Sequence, residues 1–159
     1  MYQKEQMKLR IFVIDDEESI RETFQWHLEA EGHEVLVAEE PLICDIYHGC
    51  DCREEHPCGD LLFVDYLMPL MTGLEFIEMM HKRGCKGNPA NKYIMSGNVN
   101  VIDMDRVKEI GCNVIQKPVT LEKIDQIIAE VKPTLAPDRQ LNSLEVFQKK
   151  AEDYSKKAS

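Results

Sequence analysis

Residues 61–69 of the chain are LLFVDYLMP, and this stretch decides the fold. Its first four residues are apolar, and Phe63 and Val64 favour β structure, which indicates a buried parallel strand. The strand ends at the carboxylate of Asp65, and Pro69 prevents it from continuing. Open α/β sheets bind ligands outside the carboxyl ends of their strands. Taken alone, Asp65 equally fits a ligand site and a residue that merely ends a strand, so its partners elsewhere must decide.

The composition indicates a single globular domain. The chain has 159 residues, of which 43% are hydrophobic and 30% are charged. Its formal net charge of −10 disfavours binding to nucleic acid or to anionic membrane surfaces. No apolar run approaches the roughly 18 residues needed to span a bilayer, and residues 1–10 lack the apolar region of a secretory signal. We therefore expect a cytoplasmic protein, a compartment in which disulfides are uncommon.

Predicted strands alternate with predicted helices along the chain. The strands are expected at residues 9–14, 34–38, 61–65, 92–95 and 112–115. The helices are expected around residues 20–28, 41–46, 74–83, 101–110 and 121–131, with Pro41 in the first turn of the second. This alternation predicts an α/β fold, a doubly wound, five-stranded parallel sheet of flavodoxin-like order 2-1-3-4-5 with five helices and a C-terminal helical extension.

Four of the five predicted strands end in a polar functional group. These groups are Asp15 and Asp16, Asp65, Ser96 and Lys117, and a parallel sheet places all of them at one edge. Neighbouring carboxylates suit Mg²⁺, and a carboxylate can itself act as a nucleophile. Individually, Asp16 fits a helix N-cap, Ser96 a turn and Lys117 a solvated surface charge. Their joint occurrence at successive strand ends favours a functional site.

These residues and their spacing resemble the receiver domain of two-component response regulators, the CheY-like superfamily. The resemblance rests on Asp15-Asp16, on residues 65–75 (DYLMPLMTGLE), on Ser96 and on Lys117-Pro118, and it covers about residues 8–132. We accordingly predict a leader at 1–8, a receiver domain at 9–132 with a Cys/His-rich insertion at 44–60, and a linker with a helical tail at 133–159.

The resemblance implies a role for each site residue. Asp65 is expected to accept a phosphoryl group from a phosphohistidine on a sensor histidine kinase or phosphotransfer protein. Mg²⁺ is expected to bind Asp15, Asp16, Asp65 and the backbone carbonyl of Leu67. Ser96 and Lys117 are expected to contact the phosphoryl oxygens. The family's pattern also implies a cis bond between Lys117 and Pro118.

One position departs from the family's pattern. Three residues before Lys117, where the family usually has Tyr or Phe as a rotameric switch, this chain has Val114. We expect the phosphorylation chemistry to survive this change. The output must then arise from another change on the face formed by the fourth helix, the fifth strand and the fifth helix.

The insertion between the second and third strands is rich in metal-binding residue types. Within fifteen positions it contains four thiols and two imidazoles, namely Cys44, Cys50, Cys52, Cys58, His48 and His56. Such groups suit tetrahedral Zn²⁺, but their spacing is not that of paired Cys-x2-Cys knuckles. A structural zinc site, a redox-active disulfide set and reduced thiols without a special role all remain open. Cys85 and Cys112 are expected to be small buried apolar residues.

We therefore predict a stand-alone receiver that signals through protein–protein contact. It is expected to be a phosphoacceptor and not an enzyme, with no chemistry beyond its own phosphorylation and dephosphorylation. The tail is too short for a helix-turn-helix domain, and it packs either on its own chain or on a second subunit, so a homodimer remains open. An Asp-x-Asp phosphatase is disfavoured by Leu67, and a nucleotide-binding enzyme by the absence of a Gly-rich loop after the first strand. The alternative that stays open is a metal- or thiol-redox sensor on a receiver scaffold, with phosphorylation secondary or absent.

Overall fold

A five-stranded parallel sheet organises the chain in the computed structural model, which describes residues 7–157. The sheet order is β2-β1-β3-β4-β5, as predicted. Its strands are β1 (Arg10–Ile14), β2 (Glu34–Ala38), β3 (Leu61–Asp65), β4 (Lys92–Ser96) and β5 (Asn113–Gln116). The opening stretch thus forms the central strand, β3, and its burial on both faces explains why its sequence is continuously apolar.

Five α-helices accompany the sheet within residues 7–157. They are α1 (Glu18–Ala30), α2 (Gly73–Lys82), α3 (Met104–Ile110), α4 (Leu121–Val131) and α5 (Leu144–Lys157). Local chemistry sets several boundaries: Thr72 and Glu75 form a reciprocal capping box at the start of α2, and Gly111 ends α3 with a φ of 84°. None of the helices in this part of the chain is long and apolar enough to cross a membrane.

The helix predicted at residues 41–46 is wrong. The structure has a single 3-10 turn, Asp45–His48, which Gly49 ends in the left-handed region at a φ of 86°. The amide of Cys44 already bonds back to the carbonyl of Pro41, and Leu42 is half exposed, so the short apolar pattern does not form one buried helical face. The chain between β2 and β3 consequently contains no α-helix.

Two apolar cores lie on the two faces of the sheet. One is covered by α1 and α4 and includes Phe24, Leu28, Phe63, Ile124 and Ile128. The other is covered by α2 and α3 and includes Tyr47, Val64, Phe76, Ile77, Ile94 and Val107. Because both faces are packed, the carboxyl ends of the strands are held at one fixed edge.

The C-terminal helix α5 packs on its own chain, beside the turn that replaces the predicted helix. The ring of Phe147 meets that of Phe12 edge-on, with centroids 5.7 Å apart. Lys150 Nζ lies 2.9 Å from Asp45 Oδ2, and the hydroxyl of Tyr154 donates to Asp45 Oδ1 at 2.7 Å. Of the two positions predicted for the tail, the structure therefore has the intramolecular one. The predicted leader lies outside the described residues up to position 6, as do residues 158 and 159 of the tail.

Phe147→Ala should destabilise the chain, because this buried ring anchors α5 to β1. We expect the free energy of unfolding in urea to fall by about 3 kcal/mol, the scale for truncating a buried Phe. Leu144→Ala is the matched control on the same helix, since Leu144 is 39% exposed and its truncation should cost about 1 kcal/mol or less. Equal losses in the two variants would show that α5 does not pack as described.

Candidate functional site

Sheet register brings the predicted site residues to one edge. Ile14 pairs with Val64, Asp65 pairs with Met95, and Ser96 pairs with Gln116. Asp15 and Asp16 therefore follow β1 beside the end of β3, and Lys117 follows β5 at the same edge. The backbone is also close-packed here: a Cβ on Gly73 would lie 2.6 Å from the carbonyl oxygen of Asp65, so only glycine fits at the start of α2.

Three carboxylates meet at this edge. Asp15, Asp16 and Asp65 each offer an oxygen, and these oxygens all lie within 4.8 Å of one another. Asp15 is completely buried and Asp65 nearly so, whereas Asp16 is exposed. The Oδ2 atom of Asp15 is buried, and its close partner within residues 7–157 is the ammonium of Lys117 at 2.8 Å. A buried carboxylate oxygen beside two further carboxylates fits a hard divalent cation such as Mg²⁺.

Lys117 supplies the positive charge of the site. Its Nζ lies 2.8 Å from Asp15 Oδ2, 3.4 Å from Asp65 Oδ1 and 3.5 Å from Glu17 Oε1. Burial lowers the pKa of Lys117, but its contact with Asp15 and the charges of Asp15, Asp65 and Glu17 outweigh burial and raise the pKa overall. Lys117 therefore remains a cation, and a single ammonium offsets only part of the negative charge.

The environment of Asp65 favours its protonated form. Burial raises the pKa of Asp65, and the negative charge of Asp15 raises it further, while Lys117 and the amide of Leu67 act in the opposite direction. The Leu67 amide is 3.4 Å from Asp65 Oδ1. A cation bound beside Asp65 would remove this bias and leave a carboxylate able to attack an electrophile.

Ser96 and the bond after Lys117 complete the edge. Ser96 is buried, and its Oγ accepts a hydrogen bond from the amide of Asn98 at 3.0 Å, which leaves the hydroxyl hydrogen to donate elsewhere. The bond between Lys117 and Pro118 is cis, as predicted. Val114, at the position of the usual aromatic switch, lies within β5 with its side chain partly buried.

Sequence reasoning missed two acidic contributions to the site. Glu17 faces Lys117, and a cleft of about 300 Å³ beside the cluster is lined by Asp16, Glu39, Glu40 and residues 67–69. The acidic runs at residues 15–18 and 39–40 were the available signals. The run at 39–40 follows β2, the one strand to which no polar end group was assigned.

The family model for the response regulator receiver domain matches residues 11–129, about three quarters of the chain. This chain belongs to the response regulator receiver family. A receiver domain belongs to two-component signalling, where it acts as a phosphoacceptor and is not a conventional enzyme. The match also confirms the resemblance inferred from the strand-end residues.

A curated relative and several solved structures agree with this assignment. The phosphate regulon transcriptional regulatory protein PhoB of Klebsiella pneumoniae is 27% identical over 132 residues, which are 82% of this chain. Those residues are 55% of PhoB, so this chain matches about half the length of that relative. The chemotaxis protein CheY4 of Vibrio cholerae aligns with a TM-score of 0.59 at 22% identity, over 78% of this chain and 98% of CheY4.

A further neighbour was solved with a bound ligand. The response regulator protein TrrA of Thermotoga maritima, in complex with Mg(2+)-BeF, aligns with a TM-score of 0.57 at 23% identity. The alignment covers 79% of this chain and 99% of TrrA. At such identities the structural matches establish the fold alone, and they confirm the CheY-like arrangement of the sheet.

The predicted Cys/His site does not assemble as proposed. All six cysteines are free thiols, so the structure contains no disulfide. Cys50 is exposed, His48 stacks on Tyr154 with ring centroids 3.7 Å apart, and His56 faces Glu55. Among residues 7–157, the three aspartates are the only His, Cys, Asp or Glu group at coordination distance. His48 is engaged by its stack on Tyr154 of α5 and by the carbonyl of Leu42, which lies 2.7 Å from its Nε2 atom. Cys112 is buried, as expected, and Cys85 is partly buried.

Asp65→Asn should stabilise the magnesium-free protein at neutral pH. The raised pKa means that the native state holds the Asp65 proton more tightly than the unfolded state does, so the free energy of unfolding falls as pH rises through that pKa. Removing the ionisable group removes this penalty. We expect Tm at pH 7 without Mg²⁺ to rise by about 2–4 °C, the shift that ~1 kcal/mol produces in a domain of this size.

The same measurement in Mg²⁺ provides the control. A bound cation should favour the carboxylate and stabilise the wild type more than the variant, so the difference in Tm should shrink or reverse. A variant that melts below the wild type in magnesium-free buffer would contradict the assigned electrostatic cause.

Proposed function

We propose that this chain is a Mg²⁺-dependent response regulator that accepts a phosphoryl group on Asp65 from a sensor histidine kinase or phosphotransfer protein. The observation that supports this most directly is the meeting of Asp15, Asp16 and Asp65 within 4.8 Å, with Lys117 Nζ 3.4 Å from Asp65. Magnesium bound to the similar TrrA structure is consistent with the same use of the acidic edge.

The residues that would hold Mg²⁺ are Asp15, Asp16, Asp65 and the backbone carbonyl of Leu67. When bound, the ion offsets negative charge at the carboxylates and on the transferring phosphoryl group. The buried Oδ2 of Asp15 supports this ligand set, because Lys117 Nζ, at 2.8 Å, is a single cation shared among the carboxylates of the cluster. Gly73 keeps the start of α2 packed against Asp65, so the ligand edge does not need to be ordered on binding.

Phosphoryl transfer is then a direct displacement. A carboxylate oxygen of Asp65 forms the new bond to phosphorus while the bond between phosphorus and the donor imidazole nitrogen breaks. The electron pair of the broken bond stays on that nitrogen, and the products are an aspartyl phosphate and a neutral histidine. Lys117, already 3.4 Å from Asp65, is placed to pair with a phosphoryl oxygen, and the Ser96 hydroxyl hydrogen is free to bond a second.

Output through protein–protein contact is part of this proposal. Large apolar side chains lie exposed beside the acidic edge: Leu67 is 73% exposed and Leu70 67%. Residues of this kind favour contact with a partner protein. The net charge of −10 disfavours direct contact with DNA, and Val114 removes the usual aromatic readout.

The alternative of a thiol-redox sensor receives little support. Burial raises the pKa of Cys44 to about 11 and also raises that of Cys58, so these thiols stay neutral at physiological pH. Reactive sensor cysteines instead have lowered pKa values and accessible sulfur atoms.

Acetyl phosphate with Mg²⁺ should add one phosphoryl group to the wild type. A carboxylate oxygen of Asp65 displaces acetate from phosphorus, so intact-protein mass spectrometry should detect a single phosphoryl addition. Asp65→Asn should show none, and chelation of Mg²⁺ should slow labelling of the wild type by about 100-fold or more, the scale of lost electrostatic stabilisation.

Asp105→Asn is the matched control, because Asp105 is an exposed aspartate in the first turn of α3 and does not belong to the cluster of three carboxylates. It should label at the wild-type rate. Labelling that persists in Asp65→Asn would place the acceptor at another residue, and labelling that is unaffected by chelation would exclude the magnesium requirement.

A further inference from the structure

Four cysteines line one cavity that the sequence pattern did not predict. The cavity has a volume of about 790 Å³ and lies between the sheet, residues 44–58 and α5. Its walls are mainly apolar, and the thiols of Cys44, Cys52, Cys58 and Cys85 are among its lining groups. The amide of Cys52 donates to the carbonyl of Arg83 at 2.9 Å, which fastens the insertion next to the loop containing Cys85.

These thiols are close enough to affect one another. Besides burial, Cys58 and Cys85 contribute to the raised pKa of Cys44, and Cys85 and Cys52 contribute to that of Cys58. Cys50 is exposed and lies outside the cavity lining. The set that shares one environment therefore differs from the set suggested by sequence spacing: Cys85 joins it, Cys50 and His56 do not, and His48 lines the cavity with its ring stacked on Tyr154.

The sulfur atoms receive hydrogen bonds of the kind that stabilise thiolates. Cys85 Sγ accepts from the amide of Gly87 at 3.4 Å and from Lys92 Nζ at 3.3 Å. Cys58 Sγ accepts from Asn142 Nδ2 at 3.3 Å. Such donors outside the ligand shell hold and tune metal ligands.

Lys92 is a buried cation without a carboxylate partner among the described residues. The residue is only 4% exposed, and among residues 7–157 the hydrogen-bond partner of its ammonium is Cys85 Sγ, with no carboxylate at ion-pair distance. A buried charge without a counter-charge is costly. A thiolate at Cys85 supplies that counter-charge, whereas a neutral thiol does not.

The other metal-ligand groups at the cavity already have partners. Asp60 accepts from Arg139 at 2.7 Å, and Lys150 pairs with both Asp45 and Glu54. The Nε2 atom of His48 lies 2.7 Å from the carbonyl oxygen of Leu42. Thiols are therefore the donors left for a cation, and an all-sulfur set selects a soft or borderline metal such as Zn²⁺ over Mg²⁺.

We propose that Cys44, Cys52, Cys58 and Cys85 form a tetrahedral thiolate site for Zn²⁺. Each thiol gives up one proton, so one Zn²⁺ displaces four protons and yields a centre of charge −2, which Lys92 partly compensates. No three of the sulfur atoms lie within 4.8 Å of one another in the described structure, so binding draws residues 44–58 inward. The ion would tie the helix-free connection between β2 and β3 to the loop before β4.

The test measures metal on the full-length protein purified without chelator, loaded with Zn²⁺ and desalted. We expect one Zn²⁺ per wild-type chain by elemental analysis, and a Co²⁺-substituted protein with the charge-transfer and d–d absorption of tetrahedral thiolate ligation. Cys85→Ser should lose stoichiometric metal, and Lys92→Met should weaken Zn²⁺ affinity by about 10–100-fold, as loss of an outer-shell partner does.

Cys50→Ser is the matched control from the same insertion and should keep one Zn²⁺. If Cys85→Ser fails to fold, two other measurements test the zinc site. Cys52→Ser, which alters a loop position, should lose the metal, and the cobalt spectrum of the wild type should show thiolate ligation. A wild type that binds no Zn²⁺, a cobalt spectrum without thiolate bands, or Cys85→Ser retaining metal while Cys50→Ser loses it would each overturn the proposal. The acetyl phosphate assay on Asp65 reports independently of all three results.

Discussion

Electrostatic repulsion among carboxylates at one sheet edge is the constraint on which the site depends. Asp15 and Asp65 are buried at the ends of adjacent strands, and Asp16 completes a cluster within 4.8 Å. One ammonium, Lys117, cannot neutralise three carboxylates, and burial together with the negative charge of Asp15 raises the pKa of Asp65. The fold tolerates this excess of negative charge because the two apolar cores hold the strand ends in place. The acidic edge is therefore suited to bind a cation.

The connection between β2 and β3, which lacks the expected helix, shapes the surface on which α5 packs. Where a helix was expected between β2 and β3, the chain makes a single 3-10 turn, and α5 packs beside it through Phe147 and through the contacts of Lys150 and Tyr154 with Asp45. The space between these elements is the thiol-lined cavity. The receiver scaffold thus keeps its acidic edge, while the connection between β2 and β3 contributes thiols to a cavity under α5.

Local patterns were sufficient for much of the fold and the acidic edge. The apolar run 61–64 and the alternation of strands with amphipathic helices depend on short-range periodicity. This periodicity can be recognised without knowing the tertiary contacts. Asp15, Asp65, Ser96 and Lys117 could be grouped because parallel strands end at one edge, so that order along the chain predicts proximity. The helix predicted at 41–46 is absent because three apolar positions, Leu42, Ile43 and Ile46, do not reveal whether a surface exists to bury them.

The sequence by itself therefore determined the sheet, its order and the residues of the acidic edge, since each follows from strand periodicity and from what ends each strand. Only the tertiary structure decided which cysteines line one cavity, because the backbone bond from Cys52 to Arg83 brings the insertion beside the loop of Cys85, and sequence spacing does not encode that contact. The tertiary structure also decided where the tail lies. The apolar stripe of a helix can pack on any exposed apolar surface, and the folded chain places Phe147 of α5 against Phe12.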